Sequence, residues 1–155
     1  MKFVLDNTVG KLARLLRMAG FDTAYVAEDG TAPVIAISRL EKRLIVSRNS
    51  RYAELALAAD FRHLESDEPE TQLFDLLSSL ELDLVEENFL SRCLECNEPL
   101  ARVDKHEVAG QVWPYVWKTQ DEFHRCPRCG RIYWPATHVE AMQSRLLAIK
   151  SELDR

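Results

Sequence analysis

Four cysteines in two identically spaced pairs, Cys93-x-x-Cys96 and Cys126-x-x-Cys129, constrain this chain more than any other feature of its sequence. None lies in the first 92 residues. Two thiolates separated by two residues grip one metal ion from a tight turn, and a second such turn completes a tetrahedron. Four sulfurs leave a zinc ion no open position, so the spacing predicts structural Zn2+ rather than a catalytic metal; an iron centre or free thiols are the alternatives. Asn97 after the first pair and Gly130 after the second suit the left-handed backbone such knuckles need. The stretches VWPYVW and RIYW predict strands, hence a zinc ribbon with too little apolar surface to fold without its ion. His124 and His138 lie near the second pair, yet four sulfurs make neither necessary. Thr137 and Glu140 form a T-x-x-E capping pattern around His138 that opens a last helix over about 138–152.

Upstream of the cysteines the hydrophobic pattern alternates. Residues 2–6, 22–27, 43–47 and 61–65 read as short strands. Residues 8–19, 31–42, 50–60 and 69–80 read as helices, with Pro33 tolerable in a first turn and Gly20 a natural stop. Four strands alternating with helices over short connections define an α/β class, a parallel sheet with helices on both faces. Right-handed crossovers favour the order 2-1-3-4, which makes the first strand central and opens a crevice at the carboxyl ends of strands one and three. The expected division is an α/β domain over 1–88 and a zinc ribbon with a C-terminal helix over 89–155. The acidic stretch ELDLVEEN near 81–88 reads as a solvated linker.

Charge narrows the choice of partners. The net charge of −5 is uneven: residues 1–65 sum to +2, residues 66–92 to −7, and the rest to zero. That argues against a general DNA-coating protein while leaving room for a local basic groove on the first segment. No apolar run approaches the roughly 18 to 20 residues of a membrane helix. The opening MKFVLDNTVGK meets an acid at position 6, unlike a secretory leader, so a cytoplasmic protein without membrane contact is expected.

Asp6 closes the first strand at one lip of the predicted crevice, and Ser47-Arg48-Asn49 forms the other. A lone acid at a strand end often caps a helix or turn. It can also hold magnesium or manganese, which keep several waters and need few protein carboxylates when a phosphate is present. Lys11, Arg14 and Arg17 follow on the next helix as a basic stripe, and Arg48 adds a fourth cation across the crevice. Such a stripe is commonly a solvated face, but cations beside a carboxylate suit binding of a phosphate.

The pattern D-x-x-x-G-K-L-A-R-x-L-R-x-x-G-F-D-T from Asp6 to Thr23, a strand ending S-R-N, then C-x-x-C and C-P-x-C-G-x-x-Y-W, resembles one family over nearly the whole chain. It is the Mut-seven C-terminal type RNase domain, a PIN-like fold fused to a zinc ribbon. The resemblance implies metal-dependent cleavage of RNA by clustered acids. Asp6 would be the first carboxylate for Mg2+ or Mn2+, with Lys11, Arg14, Arg17 and Arg48 binding RNA phosphate. Two departures stand out. The family's third strand ends T-R-D, whereas position 49 here is Asn, which offers a neutral oxygen but no charge. The family's second helix begins with acids, whereas this one begins Gly30-Thr31-Ala32-Pro33 after Glu28 and Asp29. Asp29 and Asp67 are the candidates to supplement Asp6. The expected function is therefore a metal-dependent ribonuclease; the alternative is a degenerate PIN-like protein that binds RNA without cutting it. A third reading makes Trp113, Tyr115 and Trp117 a protein-docking stripe, although ribbon core is their expected place, with Tyr133 and Trp134 packing where the ribbon meets the body.

Overall fold

Strand β1 (Lys2–Leu5) buries Phe3, Val4 and Leu5 completely, as a strand covered on both faces must. It pairs in parallel with β2 (Asp22–Tyr25) on one side and β3 (Leu44–Ser47) on the other, and β4 (Phe61–His63) pairs with β3. The order is β2-β1-β3-β4, as the sequence pattern predicts. The computed structural model describes residues 1–55 and 60–155, with the backbone alone at 137 and 138. Part of the predicted 50–60 helix therefore lies outside the described residues; its start is present as α3 (Tyr52–Leu55).

Alternation along the strands sends side chains to two cores. Phe3, Leu5, Leu44 and Val46 meet Leu12 and Leu16 of α1 (Gly10–Met18) and Leu73, Leu76 and Leu77 of α4 (Pro69–Ser79). Val4 and Ile45 point the other way, to Val34 of α2 (Ala32–Glu41) and to Tyr52 and Phe61. Pro33 sits in the first turn of α2, where its missing N–H costs no helical bond. Gly20 ends α1 at φ +94°, and a Cβ there would collide with the Asn88 backbone carbonyl, so this position requires glycine twice over.

The ribbon is a three-stranded antiparallel sheet of β5 (Ala101–Val103), β6 (Phe123–Arg125) and β7 (Ile132–Tyr133). Its strands are not where VWPYVW predicted one. Pro114–Thr119 forms a short helix, α5, with Pro114 in its first turn. Only Trp117 of the three aromatics packs inward; Trp113 and Tyr115 stand in solvent rather than in ribbon core. The last helix, α6 (Thr137–Leu153), starts one residue early, with Ala136 at the cap position. The predicted Thr137–Glu140 capping pair and His138 involve side chains outside the described set.

An apolar core runs across the boundary expected at 88/89. Leu84, from the stretch read as a solvated linker, is buried in the α1–α4 core together with Leu94, Leu146 and Ile149. Met142 and Leu153 of α6 pack against the same cluster. The ribbon and the sheet are thus tied through one hydrophobic interior.

Candidate functional site

The chain reverses its winding between β1 and β3, and Asp6 emerges at that point. It is 4% exposed and serves as the cap of a 3-10 turn over Asn7–Val9. Its Oδ1 accepts from the Thr8 amide at 3.0 Å and the Thr8 hydroxyl at 2.5 Å, while Oδ2 accepts from the Ser47 hydroxyl at 2.6 Å. Ser47 Oγ in turn accepts the Asn49 amide, and Thr8 Oγ1 accepts the Arg48 amide. Burial, and then the Asp6 charge and hydrogen bonding to it, push the neighbouring Tyr52 phenol up to about 12, keeping it protonated at any physiological pH. Asp6 is therefore locked by the Thr8 amide and hydroxyl on its own lip and by the Ser47 hydroxyl from the other.

The other predicted acids flank this centre without joining it. Asp29 accepts from the Asn7 side-chain amide at 2.8 Å, one residue from Asp6. Asp67 lines a cleft of about 310 Å³ with Asn7, Thr8, Lys11 and Gln72. Asn49 turns its side-chain oxygen back onto the Arg51 amide at 3.0 Å. Among the described residues no three carboxylates come within ligand-sharing distance of one another. One buried carboxylate with two flanking acids still fits an ion that keeps most of its own waters and takes further oxygens from a phosphate.

The cations divide. Lys11 opens onto the Asp67 cleft, and Arg48 is exposed at the opposite lip. Arg14 is half-exposed and pairs with Glu95 at 3.1 Å. Arg17, expected on phosphate, is buried instead. Its Nε donates to the Thr23 carbonyl at 2.9 Å, and one terminal nitrogen donates to the carbonyls of Leu94 at 2.8 Å and Glu95 at 3.2 Å. Sequence reasoning placed Ser47 at the opposite lip without its bond to Asp6, and missed Thr8 and Tyr52 around the acid and also His63, whose Nε2 donates to the Arg48 carbonyl at 3.0 Å. Thr8, two residues after Asp6, was the one readable signal, since hydroxyls commonly close such turns.

The cysteine cage is complete. The four sulfurs lie within 4.8 Å of one another, with Cys93 and Cys129 at 3.8 Å. The two knuckles are alike. The Cys96 amide points at Cys93 Sγ and the Cys129 amide at Cys126 Sγ. Asn97 (φ 69°) and Gly130 (φ 76°) each return an amide to the carbonyl of the first cysteine of the pair. Burial opposes ionisation of Cys93, but hydrogen bonds from the Tyr133 hydroxyl and from backbone amides outweigh it and bring the thiol down to about 7. A soft, preorganised four-thiol set of this kind can hold a zinc ion.

The first knuckle also seals an edge of the parallel sheet. β2 is an edge strand, and the Thr23 backbone amide and carbonyl face away from β1 with no strand partner. Asn97 Oδ1 accepts the Thr23 amide at 2.8 Å, and Arg17 takes the Thr23 carbonyl. Asn97 Nδ2 and Arg43 both donate to Asp22 Oδ1 at 2.7 Å. Arg92 reaches the carbonyls of Gly20 and Asn97. Such a cover is one way proteins protect a strand that could otherwise pair with another chain.

A PIN-like parallel sheet carrying a four-cysteine ribbon is the class of protein that this fold and these sites define. The chain belongs to the Mut7-C RNase domain family, whose model matches residues 1–146. No curated protein and no solved structure gives a significant match. No helix among the described residues is long and apolar enough to cross a membrane.

Proposed function

We propose that this chain cleaves RNA phosphodiesters at the crevice between β1 and β3, and that its site holds a divalent ion firmly only when substrate phosphate is present. The observation that carries this reading is Asp6: a buried carboxylate at the sheet's switch point, aimed by Thr8 and Ser47. Mg2+ or Mn2+ bound there would activate a water and offset charge on the leaving oxygen. The chain's own residues supply position and field. Thr8 and Ser47 fix the carboxylate's orientation, and Lys11 and Arg48 approach from the two lips to bind phosphate. Asp29, bonded to Asn7, and Asp67, in the cleft it shares with Thr8 and Lys11, would add negative charge around that centre. Asp6 alone is a sparse ligand set, so ion affinity in the free protein is low and the RNA contributes oxygens of its own.

Asn49 favours a second reading, an RNA-binding protein that has lost cleavage. Its side chain carries no charge and is spent on a turn with Arg51. Cleavage of single-stranded RNA in Mn2+ by the wild type, Asp6→Asn and Asn49→Asp separates the two. The enzyme reading expects wild-type cleavage that falls at least a hundredfold in Asp6→Asn. Cleavage absent in the wild type and gained in Asn49→Asp establishes the binding-only reading.

A further inference from the structure

Trp113 and Tyr115 are 78% and 77% exposed, although large aromatic side chains normally contribute most when buried. They flank Pro114 on the loop between β5 and β6, at the start of α5. The helix beneath them is fixed. Trp117 turns inward, its indole N–H donates to the Lys105 carbonyl at 3.1 Å, and Lys105 Nζ lies 4.8 Å from its ring centre. Asp104 and Glu107 make a reciprocal capping box at the start of this loop. The rings are thus presented in solvent by a rigid, separately anchored element.

The charges around them are sorted. The loop's acids are engaged locally: Asp104 and Glu107 in the capping box, Asp121 on Lys105, and Glu122 beside His124. Lys118, three residues after Tyr115 and so on its face of the helix, is exposed and has no acidic partner among the described residues. Open rings beside the uncommitted Lys118 form a stacking platform for unpaired bases, whose phosphates the cation takes up. A protein-docking patch would instead need a contiguous apolar surface. Here the neighbours Gln111, Lys118 and Thr119 are polar and exposed.

We infer that Trp113 and Tyr115 form a base-stacking site for single-stranded RNA on the ribbon, separate from the crevice at Asp6. The inference rests on the reading of the chain as RNA-handling and adds to it the substrate's form: unpaired, and long enough to present bases to the ribbon.

The test is fluorescence anisotropy with a labelled single-stranded RNA 12-mer and its abasic ribose-phosphate counterpart. It is run on the zinc-loaded 155-residue chain carrying Asp6→Asn so that no cleavage intervenes. Trp113→Ala and Tyr115→Ala are each expected to weaken binding of the RNA on the order of tenfold while leaving the salt slope unchanged. Trp113→Phe is expected to restore most of the affinity. The abasic strand should bind all variants alike, and weakly. Circular dichroism and zinc content should match the parent, because neither ring packs on the fold. Unchanged RNA affinity in both alanine variants overturns the inference, as does equal loss for the abasic strand. So does capture of a protein rather than RNA by the rings. Failure of cleavage with stacking intact would remove the crevice reading alone; loss of stacking with cleavage intact would remove this one alone.

Discussion

The cysteine cage and the acid crevice are both sites at chain turns, and they are built in opposite ways. The cage draws all its ligands from two short repeats, each shaped by its own amides and by one left-handed residue. The crevice draws on β1, β3 and the turns that follow them, segments about 40 residues apart, and it converges on one carboxylate held by hydroxyls. The cage is complete without help, whereas the crevice, on the function proposed above, takes further oxygens from its substrate. A structural metal tolerates only the first design, while a site that must exchange substrate can use the second.

If that contrast holds, removing a zinc ion held by the four cysteines has the largest effect in the molecule. Chelation, or Cys126→Ser, should collapse the ribbon and lower the melting temperature of the whole chain in one transition, because Arg17 and Asn97 tie the first knuckle to β2. Circular dichroism during chelator titration checks this; a sheet that melts unchanged after metal loss would break the link between the two regions.

Arg17→Ala comes next. It strips a buried cation from three backbone carbonyls and should cost about 2–4 kcal/mol in urea unfolding. Lys would not rescue it, since one ammonium cannot reproduce the forked geometry. A loss under half a kcal/mol would mean that the knuckle docks without this staple.

The smallest effect is at Asp22. Burial would raise its pKa, but the hydrogen bonds from Arg43 and Asn97 outweigh that and hold it below the usual carboxylate range. Its stabilisation is therefore fully present above the unfolded value near 3.9 and is lost as pH falls through the lower folded value. Asp22→Asn should flatten the acid limb of a stability–pH curve over that window; an unaltered limb would mean that the bridge adds nothing.

The same contrast explains what could be read in advance. Strand order followed from apolar runs and short connections, and the cage followed from spacing, because both are local or periodic properties. Arg17 was misread because steps of three residues are not a straight line on a helix. Each step turns about 60° short of a full circle, so Lys11 to Arg17 winds about 120° and carries the last cation into the packed side. VWPYVW was misread because alternating aromatics imitate a strand, while Pro114 is equally at home opening a helix. In the hydroxyl shell of Asp6, the Ser47 bond could not be read, because Ser47 reaches the acid only through the β1–β3 pairing.

The central claim is that Asp6 anchors an ion that substrate completes. The most direct measurement is the Mn2+ dependence of RNA cleavage in the wild type, Asn49→Asp and Asp6→Asn. The expected result is a high half-saturating Mn2+ concentration in the wild type, on the order of tenfold lower in Asn49→Asp as a second carboxylate joins the first, and no saturable activity in Asp6→Asn. Cleavage that persists with the same Mn2+ dependence in Asp6→Asn would contradict the account.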